Sequence, residues 1–232
     1  MAKKEDRTAP LMQIQVIVNE KLYLKDPDST KLGRSIIFEG VQLIDKIGFE
    51  ELTFKKLAIE MGSTEASIYR YFENKHQLLV YLISWYWSWL QYKLTLVVFN
   101  LDDPAEKLRV AIKIFTHSYG EIPAQTPMDL DALYRIVISE SPKAYLTKEV
   151  DVVNKEGAYL NYKRFTRQVA ELLSKLNPEY AYPRALISTA IESAHDQKYF
   201  SEHLPRLTEV SKGKKGEVCN FLTEMIFKTI GV

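Results

Sequence analysis

Apolar side chains return every third or fourth position along nearly the whole chain, and no stretch alternates strictly in twos. That period belongs to helices, so the expected fold class is all-α. The first clear helix covers residues 32–47, with Ile37, Val41 and Ile44 on one face. Gly48 followed by Phe49 reads as a C-cap glycine with its apolar follower. Thr53 is a candidate N-cap for a second helix, with Leu52 and Leu57 placed to staple across it. That helix stops at Gly62. Thr64 opens a third helix of scarcely two turns, ending at Phe72. Asn74, with Gln77 three residues on, has the capping-box pattern that starts a much longer fourth.

Farther along, the helices lengthen and polar punctuation marks them. Asp103 and Pro104 open one, "EIPAQTP" is a loop, and a single helix is expected over residues 147–176 before a linker bracketed by Pro178 and Pro183. Another helix follows Pro183. The last one, after "SKGKKG", sets Val218, Phe221, Leu222, Met225 and Ile226 at the spacing of an apolar stripe that needs a partner surface. The organisation expected is an extension over residues 1–29, a small three-helix head over 30–76 and a larger helical body over 77–232.

Composition narrows the class. Hydrophobic residues make up 46% with only 9 Gly and 9 Pro, which describes an ordered globular protein. Cys219 is the only cysteine, so neither an intrachain disulfide nor a cysteine-rich zinc site is available, as suits a cytoplasmic setting. The start of the chain lacks the pattern of a signal peptide. The nearest approach to a membrane span, residues 81–99, carries Gln91 and Lys93 near its middle and reads as a buried helix, so no membrane partner is expected. There is no phosphate-cradling glycine loop and no nucleophile motif, and His117 and His195 lack a helix-spaced ligand set. The chain is therefore read as no enzyme, with no metal and no cofactor.

The short stretch "MGSTEASIYRYFENK" at residues 61–75 carries the functional signal. Short helix, tight turn, short helix is the layout of a helix-turn-helix. Ala58 is small where two helices must cross, Gly62 tolerates positive φ at the turn, and Ile68 offers a branched apolar group to bury. With Ile68 and Phe72 inward, Glu65, Ala66, Ser67, Tyr69 and Arg70 face outward. Hydroxyls at Ser63, Thr64 and Ser67 and phenols at Tyr69 and Tyr71 suit phosphate oxygens and base edges.

Residues 31–80 resemble the DNA-binding head of the TetR/AcrR family of one-component repressors. The stretch "LIDKIGFEELTFKKLAIEMGSTEASIYRYFENKHQLL" matches the family pattern at Gly48, Phe49, Thr53, Leu57, Ala58, Gly62, Thr64, Tyr69, Phe72 and Lys75. The resemblance implies that Thr53 and Lys75 touch phosphates, that Tyr69 hydrogen-bonds a backbone phosphate, and that residues 63–70 enter the major groove of a double-stranded operator. Glu65 and Ala66 depart from the pattern, standing where a basic residue and a glycine are common. Residues 1–75 hold twelve Lys or Arg and twelve Asp or Glu, so the head is net neutral. DNA affinity would then rest on a few placed contacts, with Lys3, Lys4 and Arg7 as further candidates. The same neutrality leaves open a helical interaction protein whose head does not bind DNA.

The resemblance also implies a homodimer and a small-molecule effector. Two stripes are candidates for the dimer seam: Leu186, Ile187, Ala190 and Ile191 on the helix after Pro183, and Phe221, Leu222 and Met225 on the last helix. Tyr81, Trp85 and Trp89 align at i, i+4 and i+8 as a wall for an aromatic, apolar or cationic effector. Phe115, Tyr119, Tyr134, Tyr159 and Tyr162 are further pocket candidates because family pockets lie among these helices.

Overall fold

The computed structural model describes residues 16–120, 128–148, 150–214 and 216–232. The loop expected at 121–127 and the basic residues Lys3, Lys4 and Arg7 lie outside them. Among the described residues the regular structure is helical throughout: α1 Lys31–Ile47, α2 Phe54–Glu60, α3 Glu65–Tyr69, α4 Lys75–Val98, α5 Pro104–Phe115, α6 Leu130–Tyr145, α7 Val150–Lys155, α8 Leu160–Leu176, α9 Pro183–His203 and α10 Glu217–Ile230.

The helix starts follow the capping residues. Thr30 Oγ1 accepts from Gly33 N (2.9 Å) at α1, Thr53 Oγ1 from Lys56 N (3.1 Å) at α2, and Asn74 Oδ1 from Gln77 N (2.8 Å) at α4. Gln77 returns its side-chain oxygen to Glu73 N (2.8 Å), one residue earlier than an ordinary capping box. Gly48 (φ 79°) and Gly62 (φ 59°) supply the left-handed conformations the turns require.

The head is α1, α2 and α3 around Ile37, Val41, Ile44, Leu57, Ile68 and Phe72, all buried. The body gathers around α4, which runs unbroken out of the head and packs against α5, α6 and α8; α9 lies on α8, and α10 closes over α9 and α5. No helix among the described residues is long and apolar enough to cross a membrane.

The helix expected over residues 147–176 is instead two, α7 and α8, broken at Gly157 (φ 86°). A Cβ at Gly157 would meet the Asn19 amide at 2.6 Å, so the break accommodates a side chain from the far end of the chain. The third helix is also shorter than expected, stopping at Tyr69 rather than Phe72.

Candidate DNA interface and aromatic cleft

The α2–α3 corner presents one polar face. Ile68 and Phe72 are wholly buried, while Thr64, Glu65, Ala66, Tyr69 and Arg70 are exposed and Ser63 and Ser67 half-buried. The serine hydroxyls bond one another (2.8 Å), and Ser67 Oγ donates to Thr64 O (2.6 Å), which ties the turn to the first turn of α3. Thr64 sits at the N-cap without a side-chain cap bond. Tyr69 packs edge-on against Phe54 (5.0 Å between ring centroids) yet stays 47% exposed. Its ring is thus held against Phe54 while nearly half of the side chain stays open to solvent.

Two expected contacts are used elsewhere. Tyr71 is buried, and its phenol bonds Thr30 Oγ1 (2.7 Å), so it faces the head's interior rather than a groove. Lys75 Nζ donates to Phe49 O (3.1 Å) and Glu50 O (2.8 Å) and lies over the Phe49 ring (4.8 Å). Here the ammonium clamps the α1–α2 turn to the start of α4. Neighbouring groups fasten that turn to the body as well: Phe49 N donates to Glu140 Oε1 (3.4 Å), Lys143 pairs with Glu140 and Glu50, and Arg135 forks onto Asp45 at 2.8 and 2.7 Å.

In the body, the wall expected at Tyr81, Trp85 and Trp89 is buried and does not line the cleft between α4, α6 and α8. Tyr81 is buried where head meets body, edge-on to Phe72 (5.4 Å) and Tyr23 (6.1 Å). Trp85 and Trp89 stack on one another and are buried. Phe115 is core, Tyr119 lies under Lys93 Nζ (5.4 Å), and Tyr134 is stacked on His117 at 3.6 Å. Of the candidates, Tyr159 and Tyr162 line a shallow cleft in the body. It lies between α4, α6 and the start of α8, is closed to a water-sized molecule in this structure, and is lined further by Val80, Ile83, Ser84, Trp87, Ala144, Tyr145 and Ala158.

Sequence reasoning missed Trp87 and Tyr145. Trp87 is stacked on Tyr162 (4.3 Å) and donates its indole N–H to the Tyr145 hydroxyl (2.8 Å). Val80, Ile83, Ser84 and Trp87 do fall at i, i+3, i+4 and i+7, but the neighbouring faces of α4 are equally apolar, so the spacing does not single this one out. The polar ends of the cleft are engaged: Tyr162 donates to Glu192 Oε1 (2.7 Å) and Tyr159 to Ala144 O (2.7 Å). Against the cost of burial, hydrogen bonds from His195 and Tyr162 hold the Glu192 carboxyl below the usual carboxylate range. Burial raises the Tyr145 phenol and depresses the His117 imidazole to about 3. The lining is therefore aromatic, and none of its side chains is charged at neutral pH.

The expected dimer stripe on α9 is not available for a seam. Ile187, Ala190 and Ile191 are wholly buried within the protomer, under α8 and α10, and so is Leu222 on α10. Leu186 and Met225 are half-buried, and Phe221 remains 45% exposed.

Comparison with known proteins agrees with this geometry. Residues 36–82 match the family model of bacterial regulatory proteins of the tetR family. Over these residues the head is that of the TetR family. The TetR family comprises DNA-binding transcription regulators, and the all-α fold with an N-terminal head is shared by solved relatives. The structure of AibR in complex with isovaleryl coenzyme A and operator DNA superposes with a TM-score of 0.58 at 16% identity, covering 84% of this chain and 97% of that one. A structure explaining the control of antibiotic production by bacterial hormones gives 0.59 at 14% identity, covering 87% and 98%. The fatty acid degradation regulator FadR from Bacillus halodurans gives 0.55 at 15%, covering 83% and 92%. At such identities the likeness is one of fold. No curated protein matches the sequence.

Proposed function

We propose that this chain is an effector-responsive transcriptional repressor that binds a pseudo-palindromic operator as a homodimer. The observation that carries the reading is the α2–α3 corner: a fixed apolar underside of Ile68 and Phe72 and an outer face of Thr64, Glu65, Ala66, Tyr69 and Arg70. One such face spans too few base pairs for useful specificity, so two heads must act together. Thr53, Ser63, Ser67 and the Tyr69 hydroxyl supply phosphate contacts, Arg70 and Glu65 reach base edges, and Lys75 positions the head from behind. The seam between protomers runs along the outer face of α10, through Phe221 and Met225, with Leu186 beside it.

The effector site is the cleft around Trp87. Its uncharged aromatic lining fits a compact planar or apolar molecule better than a cation, and because the lining side chains close on one another until no water-sized space is left, an effector enters only by spreading α4 from α8. An effector that prefers the head-splayed state weakens operator binding by the free energy of that preference.

The test is fluorescence anisotropy on duplexes selected by the protein from random-sequence DNA, at several salt concentrations, beside Tyr69→Phe. Expected is a dimer bound with log affinity falling by about 0.9 per phosphate contact per log unit of salt. Losing one phenol bond from each of two heads should weaken it by about tenfold to thirtyfold. Uniformly weak binding untouched by Tyr69→Phe would favour a helical interaction protein with a non-DNA-binding head, the reading that the head's charge balance supports.

A further inference from the structure

Residues 16–30 do not form a loose leader to α1; they run across the junction of body and head and are fastened at both ends. At the body end Val16 and Val18 are buried, and Ile17 O accepts from the Asn161 side-chain amide (3.0 Å). The same amide donates to Ser84 Oγ (3.1 Å) and approaches Ser84 O (3.3 Å), and Asn161 is itself 6% exposed. Asn19 adds a second fastening, donating to Glu156 O (2.6 Å) beside the Gly157 break. Leu22 is buried in the shared core, and Tyr23 leans edge-on against Tyr81.

At the head end Leu24 N donates to Tyr71 O (2.8 Å), Lys25 Nζ lies over the Tyr71 ring (5.3 Å), and Thr30 bonds the Tyr71 hydroxyl. Tyr71 comes two residues after the end of α3, the helix proposed to enter the groove.

We infer that residues 16–30 are a strap that transmits the state of the aromatic cleft to the C-terminal end of α3. The link at the cleft is Asn161. Ser84 on α4 and Ala158 and Tyr159 at the entry to α8 line the cleft, and Asn161 lies one residue into α8. Its single amide group holds α4 through Ser84 and the strap through Ile17 O, so an occupant that spreads α4 from α8 must loosen one of the two. Strap slack is felt at Tyr71, because the carbonyl that Leu24 grips is in the turn leaving α3. The inference rests on the cleft being the effector site and α3 the DNA-reading helix.

The test is amide hydrogen exchange on the full-length protein with Asn161→Ala, and with Asn19→Ala as a second variant that leaves the core intact. Expected is exchange at Leu24 at least about tenfold faster in either variant, with the amides of Leu172 and Leu173 in α8 unchanged. Affinity for the duplex selected by the wild type should shift at least about threefold in the same variants. Unchanged Leu24 exchange in both variants overturns the strap, and so does acceleration spread equally through α8 and α9, which marks general loosening. Faster Leu24 exchange with unaltered DNA affinity overturns transmission to the head. If the wild type selects no duplex, the DNA-binding reading fails by itself, and the strap stands or falls on Leu24 exchange alone.

Discussion

Lys75 separates two roles that the family pattern leaves merged, and Lys75→Ala tells them apart. Its ammonium makes two hydrogen bonds to carbonyls of the α1–α2 turn and rests on the Phe49 ring. A charge-assisted hydrogen bond is worth about 1.5–3 kcal/mol when buried and much less when water competes, and a partly exposed cation–π contact adds about 0.5–1. With the side chain only half-buried, the sum to expect is about 1.5 kcal/mol. In a protein of this length that lowers Tm by roughly 5 °C. A lysine that instead contacts one phosphate from each of two heads would leave Tm unchanged and flatten the dependence of log affinity on log salt by about 1.8. Thermal unfolding followed by circular dichroism, beside anisotropy across a salt series, reads both. A lowered Tm with the wild-type slope supports the clamp. An unchanged Tm with a slope flattened by about 1.8 refutes it and returns Lys75 to the phosphate.

The two halves of the expected seam should part company on mutation. Phe221→Asp, at an exposed ring, should give a folded monomer by analytical ultracentrifugation, whereas Ile187→Ala, in a wholly buried site, should lose about 2–5 kcal/mol of stability in urea and keep the dimer. A dimer surviving Phe221→Asp would remove α10 from the seam. The buried imidazole of His117 predicts acid sensitivity. Its pKa is held down to about 3 by burial, with Lys93 and His195 adding to the effect, against 6.5 in the ordinary state. The unfolded chain therefore takes up a proton that the folded chain refuses. The stability this provides is complete above pH 6.5 and is lost as pH falls toward 3. Between pH 7 and 5 the loss should be at most about 2 kcal/mol. Urea titrations at both values should show it, and His117→Asn, which tolerates the positive φ at that position, should remove this part of the slope. An equal slope in the variant would show that other groups carry it.

The head was legible in the sequence because its signals are local. Thr53 and Asn74 cap the helices they precede, and Gly48 and Gly62 take the positive φ that the turns need. The body was less legible for a physical reason: α4 is buried on nearly every side, so no face of it stands out by hydrophobicity. The alignment of Tyr81, Trp85 and Trp89 is real, yet it serves the head junction and an internal stack, while the cleft opens on the neighbouring face that carries Trp87. The stripe on α9 was likewise real. A stripe shows that a helix is covered, not whether its own chain or a copy does the covering, and here α8 and α10 do. The break at Gly157 is a local glycine C-cap, with Ala158 N bonding Val153 O, but the Asn19 amide packed against it comes from 137 residues away, and no local pattern encodes that contact.

The placement of the head's fastenings gives the fold a mechanical asymmetry. The strap grips the start of α1, through Thr30 and Tyr71, and α6 grips its end, through the Arg135–Asp45 fork, the Lys143–Glu50 pair and the Phe49 amide on Glu140. α1 has 17 residues, so the two grips are about 25 Å apart. The α6 grip combines a bidentate ion pair with a hydrogen bond to a buried carboxylate, whereas the strap's link to the cleft passes through one side-chain amide. When the cleft is forced open the weaker grip yields first. On the strap inference, the head then pivots about its α6 end, and α3, whose exit turn the strap holds, moves with the free end. If the proposed function and the strap both hold, a change of a few ångströms beside Trp87 becomes a change of angle at the proposed DNA-reading face, without any rearrangement inside the head's own core.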